Sequence, residues 1–157
     1  MRTALDTNVL LDLLAGDAAA AAAARSAIAS ALRLGSLAIC PVVYAELGAN
    51  FPDQEELARF INAFHIQVDG FSTDALFHAA AAWRRYARTR GGQVQCSRCG
   101  RQTEVLCPSC GTPLLCRQHI VSDFLVGGHA ALQAGRLLTR DSHYYRRYFP
   151  SMIVLSP

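Results

Sequence analysis

The sequence predicts an α/β fold, a central and mostly parallel sheet covered by helices on both faces. Three observations predict it. Short apolar runs of three or four residues alternate with longer helical segments, the order that builds parallel strands joined by crossover helices. The 157 residues are 52% apolar and 17% charged, enough to bury one core. Acids follow directly on the apolar runs, and in parallel sheets ligands sit at the carboxyl ends of the strands.

In chain order, Arg2–Leu5 reads as a short buried strand ending at Asp6, and residues 7–14 continue as helix. Gly16 breaks that helix. Asp17, whose carboxylate accepts from the free N–H groups of a helix start, caps a second helix to about Leu34. Ser36–Ile39 is the second strand. Pro41 takes a favoured first helical position, where no N–H is needed, and residues 42–49 carry that helix on. Pro52 and Asp53 restart a helix to about Phe64. Ile66–Val68 is a strand, and Ser72 or Thr73 caps a long helix to about Arg90. Gly91-Gly92 marks a break, and the composition changes over residues 91–119, an insert within a domain that spans residues 1–157. The chain resumes as helix over residues 122–133, capped by Ser122 and stopped by Gly135. Residues 136–139 and Ile153–Leu155 are the last strands, with a closing helical turn between them.

The start of the chain carries Asp6 where a secretory leader would be apolar, and no run reaches the ~20 apolar residues of a membrane span. A cytoplasmic protein with no membrane partner is the expectation. The net charge of +3 is too small to identify a nucleic-acid partner. All 15 basic residues are Arg, whose planar fork matches phosphate oxygens, although an Arg- and Ala-rich composition also follows from GC-rich coding.

Four acids occupy the useful places. Asp6 follows the first strand, Glu46 lies on the helix after the second, Asp123 is in the first turn of the late helix, and Asp141 follows residues 136–139. Asp6, Glu46 and Asp123 have apolar neighbours, so they are expected to be partly buried, where an unpaired carboxylate is costly. Gathered together they would repel one another, and a divalent cation with a taste for hard oxygen ligands, Mg²⁺ or Mn²⁺, resolves the conflict. Each acid also has a plainer use. Asp6 or Asp123 can cap a helix and Asp141 can start a turn; Glu46, on an apolar helix face, has no capping role. The remaining acids, Asp12 and Asp69 among them, read as solvated.

The segments Leu5-Asp6-Thr7-Asn8-Val9-Leu10-Leu11, Val43-Tyr44-Ala45-Glu46-Leu47, Ser122-Asp123-Phe124-Leu125-Val126-Gly127-Gly128-His129-Ala130 and Leu137-Leu138-Thr139-Arg140-Asp141 resemble the motifs of the PIN-domain family, and within it the VapC-type toxins of bacterial toxin–antitoxin pairs. The resemblance covers the chain outside residues 91–119. It implies a PIN-like three-layer α/β/α domain, a homodimer, Mg²⁺-dependent cleavage of RNA by an endoribonuclease, and inhibition by a cognate antitoxin. It places metal-holding acids at Asp6, Glu46 and Asp123 with Asp141 as the fourth, and supporting polar groups at Thr7, Asn8 and Thr139.

Cys96-Ser97-Arg98-Cys99-Gly100 and Cys107-Pro108-Ser109-Cys110-Gly111 form two CxxC knuckles. Each points two thiolates at one ion, and Cys96, Cys99, Cys107 and Cys110 together make the tetrahedral set that a structural Zn²⁺ prefers. The stretch resembles a minimal zinc ribbon. Cys116 and His119 offer an alternative pair of ligands with Cys96 and Cys99, at the expense of the second knuckle. Zinc here would fold an insert too small for its own core. Arg98, Arg101 and Arg117 on the insert, and Arg140 beside Asp141, are candidate RNA contacts. Cys40, His129, Tyr145, Tyr148 and Phe149 read as core, and Trp83 and Tyr86 as core or dimer interface. Two other functions compete: a PIN nuclease of RNA maturation, and a non-catalytic, zinc-dependent nucleic-acid-binding module, which explains the cysteines but not the four acids.

Overall fold

The computed structural model describes residues 1–89, 93–96, 98–113 and 120–157. Five parallel strands make the central sheet in the order β3-β2-β1-β6-β7: β1 (Arg2–Leu5), β2 (Ser36–Ile39), β3 (Ile66–Val68), β6 (Arg136–Leu138) and β7 (Ile153–Leu155). Leu5, Leu37, Ile39, Leu137 and Leu138 are fully buried, as strands covered on both faces require. A separate antiparallel pair, β4 (Gln93–Gln95) and β5 (Gln102–Glu104), lies within the cysteine-rich insert.

The helices are α1 (Thr7–Asp12), α2 (Ala18–Leu34), α3 (Pro41–Gly48), α4 (Gln54–Ala63), α5 (Thr73–Thr89), α6 (Val121–His129) and α7 (Ser142–Tyr148). Three caps form as expected. Asp17 accepts from the Ala19 and Ala20 N–H groups, Asp53 from Glu56, and Ser72 Oγ from Ala75. The late helix departs from expectation. Its N-cap is Ile120 and not Ser122, and the Asp123 carboxylate accepts from the Ile120 N–H at 2.8 Å while Ser122 Oγ is buried without a hydrogen-bond partner. The carboxylate, three residues inside, reaches the first free N–H that a hydroxyl on the helix itself cannot. Its last turn, Ala130–Ala134, widens to a π-helix before Gly135. The first helix stops at Asp12, two residues early, and β6 stops at Leu138, one residue early.

Helices α5 and α6 pack with almost no spacer. A Cβ on Gly128 would stand 2.5 Å from the Ala75 carbonyl oxygen and 2.9 Å from Ala79 Cβ. Phe124, fully buried, sits among the rings of Trp83, Tyr86, Tyr144 and Tyr148 at centroid distances of 5.2 to 5.5 Å, so the C-terminal rings are core, as are Tyr145 and Phe149. His129 is a satisfied core histidine whose Nε2 lies 3.1 Å from Asp69 Oδ2, and burial lowers its pKa. Asp69 is therefore not solvated, since it holds both His129 and Arg2. Asp12 is not solvated either, being buried against Arg140. Cys40 is a core thiol whose pKa burial raises. No described helix is long and apolar enough to cross a membrane.

Candidate active site

Parallel pairing sets Ala4 against Leu137 and Leu5 against Leu138, so the two chains leave the sheet side by side. The Asp6 N–H donates to the Leu138 carbonyl and the Thr139 N–H to the Leu155 carbonyl, both at 3.0 Å. Each residue is thus fixed one step beyond its strand. The Asp6 carboxylate, 8% exposed, accepts from the Thr139 hydroxyl at 2.6 Å and from the Asn8 amide at 2.8 Å. Asn8 Nδ2 also reaches Thr139 Oγ1 at 3.2 Å, and Asn8 Oδ1 accepts from the Arg140 N–H at 3.1 Å. The Asp141 N–H donates to Thr139 Oγ1 at 3.0 Å. One network ties residues 6–8 to 139–141 although about the whole length of the chain separates them.

Glu46 arrives from α3, anchored by fully buried Val43 and Leu47, and its Oε2 accepts from the Thr7 hydroxyl. Asp123 stands beside Phe124, whose ring cluster fixes that end of α6. The four acids Asp6, Glu46, Asp123 and Asp141 line one cleft of about 390 Å³ with Thr7, Asn8 and Arg140; Leu11, Tyr144 and Tyr145 complete it. The stretch from Arg140 to Phe149 interleaves arginines with aromatic rings, a mixture that can bind phosphates and stack on bases, but its rings read better as core, so the sequence alone does not place Tyr144 and Tyr145 in the site.

Burial is the main cause that pushes the Asp6 pKa from 3.8 up to about 6. Hydrogen bonds from Thr139 and the Thr7 N–H pull it down, and the charges of Asp123 and Glu46 push it up again. The Tyr144 and Tyr145 phenols are raised too, first by burial and then by acids that include Asp123 and Asp141. The cleft is a basin of negative potential, and among the described residues no cation pairs with Asp6. That donor set fits a hard divalent cation such as Mg²⁺ or Mn²⁺, and Asp6, Glu46, Asp123 and Asp141 are the residues that would hold it. Among the described residues no three His, Cys, Asp or Glu side chains stand arranged to hold an ion. Asp6, Glu46 and Asp123 are each turned toward a protein donor instead.

The sequence profile of the PIN domain matches residues 3–150. The chain belongs to the PIN-domain family. PIN domains are nucleases and generally work with Mg²⁺ or Mn²⁺. The PIN fold is also shared with two solved structures. A chain in the crystal structure of VapBC2 from Rickettsia felis bound to a DNA fragment from their promoter is similar with a TM-score of 0.60 and 15% identity, over 99% of this chain and 98% of that one. A chain in the structure of VapBC-1 from nontypeable Haemophilus influenzae is similar with a TM-score of 0.61 and 16% identity, over the same shares. No curated protein sequence matches the chain.

Beside this PIN cleft the structure forms both cysteine knuckles with one geometry. The Gly100 N–H donates to the Cys96 carbonyl and the Gly111 N–H to the Cys107 carbonyl, each at 2.8 Å; the Cys96 N–H donates to Arg101 and the Cys107 N–H to Thr112. Gly100 and Gly111 share φ of +72°, a left-handed turn that a side chain would strain. The first knuckle joins β4 to β5 as a short hairpin, and the second is closed by the bridge between Leu106 and Pro113. Backbone N–H groups of Cys99 and Arg98 lower the Cys96 pKa, and Thr112 lowers that of Cys110. Within each knuckle the two thiols interact, but the four described thiols are not gathered into a ligand set. Arg98 reaches a groove next to the acids, whereas Arg101 does not line it. Cys116, Arg117 and His119 lie outside the described residues.

Proposed function

We propose that this PIN domain is a Mg²⁺- or Mn²⁺-dependent endoribonuclease, the toxin of a type II toxin–antitoxin pair. The observation that carries the catalytic part is Asp6: a buried carboxylate of raised proton affinity, held where β1 and β6 end, in one cleft with Glu46, Asp123 and Asp141. A bound Mg²⁺ or Mn²⁺ would supply Lewis acidity at a phosphodiester oxygen and lower the proton affinity of a water nucleophile. The chain's own groups do the positioning. Thr139 and Asn8 orient Asp6, Thr7 orients Glu46, and the Ile120 N–H orients Asp123. Tyr144 and Tyr145 wall the cleft beside the acids.

The toxin assignment draws on the match over nearly the full length of both chains with structures of VapBC complexes, which supports an antitoxin partner; a homodimer remains part of the proposal. Cys96, Cys99, Cys107 and Cys110 are proposed to hold a structural Zn²⁺, supported by the matched knuckle geometry. The test is cleavage of single-stranded RNA by purified protein. EDTA should stop it, Mg²⁺ or Mn²⁺ should restore it, and folded Asp6→Ala or Asp123→Ala should lose it by at least about a hundredfold. Metal-dependent cleavage that persists in both variants refutes the assignment.

A further inference from the structure

The groove beside the acid cleft is built from two distant parts of the chain. Asn8, Arg98, Arg140 and Asp141 line a space of about 580 Å³, and Asn8, Arg140 and Asp141 line the acid cleft as well. The two spaces therefore adjoin across a shared wall of Asn8, Arg140 and Asp141, with Arg98 as the contribution of the cysteine-rich segment. Arg98 sits inside the Cys96–Gly100 turn, whose backbone is locked by hydrogen bonds at both ends. Arg140 is fixed from the other part. Its N–H rests on Asn8, and its Nη1 lies 3.0 Å from Asp12 Oδ1, a carboxylate only 6% exposed at the end of α1. A guanidinium has five N–H donors, so this ion pair leaves donors for an incoming anion.

We infer that Arg98 and Arg140 form a phosphate-binding subsite for a single-stranded RNA backbone beside the acids, with Asp12 as the positioning residue of Arg140. The inference rests on the nuclease reading for the identity of the strand. A polyphosphate strand suits both halves of the site, because one phosphate meets the arginines while its neighbour meets the acids with their cation. An acidic peptide would meet carboxylates where the groove opens. Arg98 gains its place from a two-thiol turn, so whatever holds the knuckle also holds the subsite.

The test measures binding in buffer with no added Mg²⁺ or Mn²⁺ and no chelator, where cleavage plays no part and an ion bound at the knuckles is kept. A fluorescein-labelled mixed-sequence oligoribonucleotide of about 12 nucleotides is titrated against wild type, Arg98→Ala, Arg98→Lys, Asp12→Asn, and Arg59→Ala as a control away from the groove. Arg98→Ala should weaken binding by about five- to tenfold at low salt and reduce the slope of log K against log salt by about 0.7, the loss of one contact on a single strand. Arg98→Lys should keep the slope, and Arg59→Ala should match wild type. Asp12→Asn should weaken binding in the wild-type background and change nothing further in Arg140→Ala. Cys96→Ser with Cys99→Ser should reproduce the Arg98→Ala loss and add nothing to it.

Affinity and slope unchanged in Arg98→Ala overturn the subsite, and full additivity of Asp12→Asn with Arg140→Ala overturns the positioning role. An oligoglutamate probe that binds as tightly as the RNA and loses the same factor in Arg98→Ala overturns the assignment to RNA. If wild type fails to cleave with Mg²⁺ or Mn²⁺ while Arg98→Ala still loses RNA affinity, the nuclease reading fails and the subsite stands.

Discussion

Replacing Asp6 by Asn should make the metal-free protein more stable while destroying its response to Mg²⁺. Asp6 carries a folded-state pKa of about 6 against 3.8 for the ordinary carboxyl, chiefly through burial. For an acid, a raised folded pKa means that the folded state holds its proton longer than the unfolded chain. Its ionisation therefore works against folding: the cost is absent below pH 3.8, grows through the window from 3.8 to about 6, and is complete above it. The gap between these two pKa values corresponds to roughly 3 kcal/mol at pH 7.5, of which about half is recovered at pH 5.

Asn keeps an oxygen for Thr139 and Asn8 but loses one charge-assisted bond such as that from the Thr7 N–H, a penalty of about 1 kcal/mol. The net gain is about 2 kcal/mol at pH 7.5, or a rise in Tm of roughly 4 to 8 °C for a chain of this size. The assay is urea unfolding of both proteins in EDTA at pH 5 and 7.5, then with millimolar Mg²⁺. The advantage of Asp6→Asn should shrink by about 1–2 kcal/mol on acidification, and the order should reverse with Mg²⁺, which stabilises only the wild type. A difference between the two proteins that ignores pH, or an Asp6→Asn that is the less stable at pH 7.5 without metal, refutes the electrostatic account of the cleft.

Gly128→Ala should destabilise the fold by about 1–3 kcal/mol in chemical denaturation, since its Cβ has nowhere to go between Ala75 and Ala79. Thr139→Val removes the hydroxyl that lowers the Asp6 pKa, and the acid limb of the pH–rate profile should move to higher pH; an unmoved limb contradicts the role given to Asp6. Arg140→Ala leaves the buried Asp12 carboxylate without its ion pair and should lower stability by about 1–2 kcal/mol at neutral pH, an effect that Asp12→Asn in the same chain should largely remove. Metal analysis of purified protein should find one Zn²⁺ per chain, lost on Cys107→Ser with Cys110→Ser; full retention would assign the metal elsewhere.

The sequence by itself, though it did not show the β4–β5 pair, was enough to set out the five strands of the central sheet, most helix starts and the four acids, because these depend on local chemistry. Alternation of apolar runs with capped helices needs no distant partner, and neither does a CxxC-Gly turn. Where local signals tied, tertiary structure decided. Ser122 and Asp123 are both good caps, and only the entry of the chain at Ile120 selects the carboxylate. Asp12 and Asp69 look like any surface acid until the fold brings Arg140 to the one, and Arg2 and His129 to the other. Arg98 and Arg101 are indistinguishable along the chain, and only the direction of the first knuckle puts Arg98 beside Arg140. The reason is physical: a residue's intrinsic preference acts over a few neighbours, whereas burial and charge depend on what the remaining chain places within a few ångströms.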